Sequence, residues 1–281
     1  MLRIFSRVLV SSISMVAMPL FAQSDDGATA AGDIVVEGTT VDGDPPIKTE
    51  DDGVFGTVSR QLASEADRFS RCADVPRPSL LRRIVDGHPE TGETRKALDQ
   101  HIMRNQGCYG GMFLMPPYPD PPYYGKCNPH PLPDGRSICR SHYDRGAIYE
   151  QVLRKYAANL TFDRAATFDP AVRAQFMARE EERNQFRRES ADYFWFAACA
   201  VQLSPEYALQ MLDEEPGSER EVSYQSLMIS DALPCFEGRK VTDVTVDRSQ
   251  FRAFVAEAAY SWAVAVRRVD SLLPADLDWK P

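Results

Sequence analysis

Histidine is scarce in this sequence: His88, His101, His130 and His142 are the only four in 281 residues. None falls in His-Glu-x-x-His, and Gly-x-Ser-x-Gly, a Walker loop and a dinucleotide-binding glycine fingerprint are missing as well. The commonest hydrolytic, phosphate-cradling and nucleotide-binding chemistries are therefore without their signatures. A basic excess is also lacking, with 32 Lys and Arg against 41 Asp and Glu and a net charge of -9. That balance argues against nucleic acid or anionic lipid as the main partner, since both demand clustered cations. Strand signals are few, chiefly Val241 to Val246. After the first 22 residues no run is apolar enough to cross a membrane.

Those first residues have the three regions of a secretory signal peptide. Arg3 and Arg7 form a positive start, Val8 to Phe21 an apolar stretch shorter than the ~20 residues of a membrane span, and Ala22 a small residue for cleavage. The expected mature chain begins at Gln23 with two fewer positive charges, in a periplasmic or secreted location, with no transmembrane segment left. Residues 23–55 then read as a disordered acidic linker, with nine acids against the single Lys48 and too little apolar surface to offset ordering. One β-prone island inside it, Asp33-Ile34-Val35-Val36-Glu37-Gly38, resembles the Ton box of TonB-dependent outer-membrane receptors, a strand-forming peptide read by edge pairing. The rest of the chain is too helical and too short for such a receptor.

From about residue 57 apolar residues recur at helical spacing, as in Leu62, Ala66, Phe69 and in Leu80, Leu81, Ile84, Val85. Pro78 stands where a helix would begin. Further helices are expected at 92–106, 144–160, 169–202, 205–214, 219–232 and 248–268. The 169–202 stretch, charged and then aromatic, reads as an exposed helix that dives into the core in its second half.

The chain also repeats itself. A shift of 127 residues lays Phe69 on Phe196, Cys72 on Cys199, Pro78 on Pro205, Asp86 on Asp213, Pro89 on Pro216, Ile102 on Ile229 and Cys108 on Cys235. Beyond that the match resumes at a shift of 107, with Arg145 on Arg252 and Glu150 on Glu257. The difference is an insertion in the first copy, within residues 109–142. The fold expected is all-α: two pseudo-symmetric four-helix repeats, 56–160 and 161–281, stacked into one helical domain because each alone buries little core. This layout resembles a group of uncharacterised exported proteins of sphingomonad-type alphaproteobacteria: a Cys, a Pro-started helix with paired apolar residues, a Pro near its end, a second Cys, and a final helix like Arg145-Gly146-Ala147-Ile148-Tyr149-Glu150. The resemblance covers about residues 60–268, implies a periplasmic helical fold and brings no activity.

Six cysteines permit fifteen pairings. Equal spacing in the two copies selects Cys72–Cys108 and Cys199–Cys235, leaving Cys127–Cys139 within the insertion. A competing reading is a zinc site, because Cys127, His130, Cys139 and His142 form two Cys-x-x-His pairs. Oxidising compartments favour the disulfide. The rest of the insertion is Pro-rich, and Met112, Phe113, Met115, Tyr118, Tyr123 and Tyr124 give it adhesive side chains, as a partner-binding loop or as a loop packed on the helices.

Carboxylates offer no catalytic pair. Glu180-Glu181-Glu182 reads as a solvated helix face and Asp213-Glu214-Glu215 as a helix end. Within the repeated pairs Arg145/Glu150 and Arg252/Glu257, five positions turn a helix by about 140°, so each Arg and Glu face different ways and pair with other elements as structural ion pairs. No cofactor and no enzyme activity is expected. The function expected is an exported scaffold or interaction protein that engages an envelope protein or peptide, the alternative being a small-molecule or peptide binder with a groove between the repeats.

Overall fold

The computed structural model describes residues 48–49, 53–109, 123–133, 135–187, 190–236 and 245–274, all within one compact unit, Pro45–Pro281. The signal-like segment, most of the acidic stretch, the Asp33–Gly38 island, and Met112, Phe113, Met115 and Tyr118 lie outside the described residues.

Most of what is described is helix. α1 (Val54–Cys72) buries Leu62, Ala66 and Phe69 along one face and ends where Asp74-Val75-Pro76 forces extended backbone. α2 (Pro78–Val85) opens on its proline, whose missing N–H is not needed at a first helical position. α3 (Gly92–Arg104) follows, N-capped by the Thr91 side chain, and a 3-10 turn at Gln106–Cys108 closes this part. Then come α4 (Tyr123–Lys126) and a short antiparallel hairpin, β2 (Pro129–Pro131) with β3 (Ser137–Cys139). α5 (Arg140–Tyr156), α6 (Arg164–Phe168), α7 (Pro170–Asn184), α8 (Ala191–Leu203), α9 (Pro205–Asp213) and α10 (Glu219–Asp231) continue the chain. A 3-10 turn at Leu233–Phe236, strand β4 (Thr245–Val246) and α11 (Arg248–Arg267) complete it. β4 pairs in parallel with β1 (Lys48–Thr49).

α11 is the central element. Every residue from Phe251 to Ala265 is buried, as expected of a helix enclosed on all sides. Its alanines at 253, 256, 258, 259, 263 and 265 let neighbours approach closely, and it packs chiefly against α5 and α8. α5 is nearly as enclosed, so the charged side chains of both helices must find partners inside the protein. A smaller apolar cluster of Leu62, Ala66, Leu132, Ile138, Tyr143 and Ala147 seats the β2–β3 hairpin on α1 and α5.

Three disulfides fasten the helices: Cys72–Cys108, Cys127–Cys139 and Cys199–Cys235. The first ties the end of α1 to the turn after α3, and the third ties α8 to the turn after α10. A shift of 127 residues carries Pro78, which opens α2, onto Pro205, which opens α9, and carries both ends of α3 onto both ends of α10.

Three expectations are corrected. The helix expected over 169–202 is two, α7 and α8, with the chain leaving the helix after Asn184. A single helix of that length would extend about 50 Å and overrun α11. Its charged half is not exposed: Glu180, Arg183, Asn184 and Arg187 are buried, so Glu180 does not belong to a solvated face. The closing helix expected from 144 begins at Arg140, inside the expected insertion, because the Arg140 side chain is drawn inward by Glu65 and Asp144.

Candidate functional site

Arg145 and Glu150 on α5 do not pair with each other. Arg145 Nη2 donates to Glu257 Oε2 on α11 at 3.2 Å, and Arg252 on α11 grips Glu150 through Nε and Nη2, both at 2.8 Å. The partners are crossed between two antiparallel helices that touch where Gly146 meets Ala253. A Cβ on Gly146 would lie 2.6 Å from the Ala253 Cα. Arg252 also donates to the carbonyls of Met211, Leu212 and Glu214, capping the C-terminal end of α9 where the helix dipole is negative.

Glu257 carries a second layer. Arg183 Nη2 donates to its Oε1 at 2.8 Å, and Arg187 donates to the same oxygen. Burial alone would raise the Glu257 carboxyl, but Arg187, Arg145 and Arg183 outweigh it and hold the group far below the usual carboxylate range. Glu180, 0% exposed, is bound by Arg179, Arg183 (2.9 Å) and Asn184 (2.8 Å). Burial raises it and its arginines lower it further. Arg183 also donates to Gly87 O at 3.1 Å, and Tyr149 Oη donates to Val85 O at 3.0 Å, so the end of α2 is capped from α7 and α5. Arg187 lies over the Phe194 ring at 4.6 Å, and its Nε and Nη1 have no hydrogen-bond partner. This assembly ties helices together; none of its members is a nucleophile beside a base.

The stems of the insertion are clamped by another buried set. Tyr109 Oη donates to Asp144 Oδ2 at 2.8 Å and accepts from Asn128 Nδ2 at 2.8 Å, while the Arg140 guanidinium covers the Tyr109 ring at 3.8 Å and meets Glu65 at 2.8 Å. Burial, more than Arg140, decides Asp144, whose carboxyl is raised. α4 is pressed onto α3 at Gly125, where a Cβ would collide with Arg95 O. Of the loop's six adhesive residues only Tyr123 and Tyr124 fall within a described element, as backbone of α4.

The competing zinc set is not assembled. Cys127 and Cys139 are bonded to each other, so neither sulfur is a thiolate. His142 packs against Phe254 at 5.5 Å between ring centroids, and burial, with Arg145 and Arg187 nearby, lowers it to about 3. Two guanidiniums beside an imidazole disfavour a metal cation. Among the described residues no group of three or more His, Cys, Asp or Glu is placed to hold one.

What remains is a groove. α1 forms one wall through Arg60, Ala63 and Ser64; the α9–α10 turn at Pro216-Gly217, α10 and the start of α11 form the others. The cavity is about 400 Å³ and its lining presents more carbon than polar surface, within the usual size range of small-ligand sites. Its floor holds Glu221, Gln225 and Arg252, with Arg252 Nη1 3.2 Å from Glu221 Oε1. Burial raises the Glu221 carboxyl and Arg252 opposes it. Arg252 is the one residue of the groove that the repeat pattern singled out. The others escaped because they come from three elements distant in sequence.

No family model, curated protein or solved structure matches this chain.

Proposed function

We propose that this is an exported, disulfide-braced helical binding protein, built from two copies of one helical unit, that works by holding a partner rather than by catalysis. The observation that carries the reading is the groove of about 400 Å³ between α1 and α10–α11. It lies between elements assigned to different copies, as a groove between repeats requires. Three disulfides agree with an oxidising compartment, and among the described residues no helix is long and apolar enough to cross a membrane. The matching bounds of α2 and α9 and of α3 and α10 support the duplication. The described buried charges are used as helix ties and caps, which leaves little for acid–base work.

Native mass spectrometry of the protein recovered from envelope extract tests the groove. A small bound species should accompany the wild type and be lost from Val222→Trp, which fills the cavity from an exposed position. Equal occupancy in both proteins would refute the groove. A second reading, in which the 109–142 insertion docks an envelope protein, is favoured by the clamping of its stems at Tyr109 and Asn128. Deletion of 110–122 should then abolish a defined complex seen with the full chain.

A further inference from the structure

We infer that the groove takes a small amphipathic carboxylic acid that also carries an amide N–H, the chemistry of an N-acylated amino acid or a peptide C-terminus. This inference rests on the groove being the binding site and names what enters it. The first argument comes from Gln225, which is 2% exposed. Its Nε2 donates to Glu221 Oε1 at 2.7 Å and to Arg248 O at 3.2 Å. Both are acceptors, so the amide cannot be turned over, and Oε1 must face away from them. That oxygen is buried without a hydrogen-bond partner in the lining of the cavity. A buried acceptor left unmet is costly, and a ligand N–H supplies what it lacks.

Charge supplies the second argument. The groove is lined by Arg60, Arg248 and Arg252 against the single carboxylate of Glu221, in a chain whose net charge is -9. Arg252 is engaged by Glu150 and Glu221, which leaves Arg60 and Arg248 to set the sign of the mouth. Arg248 is steadied by Val222 O and Ser226 Oγ, both at 3.2 Å. It is also the first residue of α11, so the positive end of a long buried helix reinforces the same wall. Between the mouth and Gln225 lie Ala63, Pro216 and Val222, which suit an apolar body and do not satisfy a second charge.

Calorimetric titration of the full chain, disulfides intact, with three probes tests this. N-acetyl-leucine carries the carboxylate, the N–H and an apolar side chain; its carboxamide lacks the charge; 4-methylpentanoate lacks the N–H. N-acetyl-leucine should bind, and each of the other two should bind about tenfold more weakly or worse. Arg248→Gln should weaken N-acetyl-leucine about tenfold and leave the carboxamide unchanged. Gln225→Met should erase the advantage of N-acetyl-leucine over 4-methylpentanoate. All binding should vanish in Val222→Trp, whose melting temperature reports that it folds. If the three probes bind alike yet still fail with Val222→Trp, the groove stands and the ligand class is wrong. If no probe binds and the native mass spectra of wild type and Val222→Trp also agree, both the class and the groove are wrong.

Discussion

Gly146 lies against Ala253, so close that a Cβ at position 146 would start 2.6 Å from the Ala253 Cα and Cβ. The contact sits between the crossed pairs Arg145–Glu257 and Arg252–Glu150 and sets how near α5 and α11 approach. The atoms met are backbone and a stub side chain on an enclosed helix, with no flexible end to give way. Gly146→Ala should therefore destabilise the protein by about 1–3 kcal/mol despite its better helix propensity, and Gly146→Val by more. Chemical denaturation of the two variants reads this directly; a stabilised Gly146→Ala would contradict it.

Glu257 is the only carboxylate that three buried arginines share. Glu257→Gln leaves those cations without their charge partner and should cost about 3–5 kcal/mol. Because the folded carboxyl is held below its ordinary value of 4.5, folding retains the charged form. Its contribution is present above that value and lost as pH falls below it. Wild type should lose stability on acidification below 4.5, with a shallower loss in the variant.

Two histidines add a separate acid sensitivity. Burial lowers His101 from 6.5 to about 4 and His142 from 6.5 to about 3. Between those values and 6.5 the unfolded chain takes up protons that the folded protein refuses, so stability falls as pH drops through 6.5. Each unmatched proton changes stability by about 1.4 kcal/mol per pH unit. Denaturation midpoints followed from pH 7 to pH 5 should decline, and His101→Leu and His142→Leu should each flatten the decline.

The bridges should not be equivalent. Cys72–Cys108 and Cys199–Cys235 each close 36 residues and Cys127–Cys139 closes 12. In the chain-entropy account these are about 4 kcal/mol for each long bridge and about 3 kcal/mol for the short one. Paired Cys→Ser changes at 72 and 108 should lower the melting temperature more than those at 127 and 139, and the reverse order would contradict the account.

Helix positions and the reach of the arginines were legible because period and spacing are local properties. Leu62, Ala66 and Phe69 announce the buried face of α1, and the five-residue gap between Arg145 and Glu150 says that they must look elsewhere for partners. The inner face of α7 was not legible. Val172, Phe176, Glu180, Arg183, Asn184 and Arg187 keep helical spacing, yet the line changes from apolar to charged halfway. Polarity suggested solvent, and only the position of Glu257 makes that face an inner one. The groove was hidden for a similar reason: Arg60, Gln225 and Arg248 meet only after α1, α10 and α11 have packed.

The crossing of the ion pairs makes the halves of this chain dependent on each other. A cut in the link between α5 and α6, around residues 157–163, would separate Arg145 and Glu150 from the groups that neutralise them on α11. Each fragment would keep its own long-range disulfide, Cys72–Cys108 in one and Cys199–Cys235 in the other. Each would also carry an arginine and a glutamate made to sit inside protein with nothing opposite. Such fragments should fold poorly alone and recover helical structure when mixed, making the molecule a natural split pair.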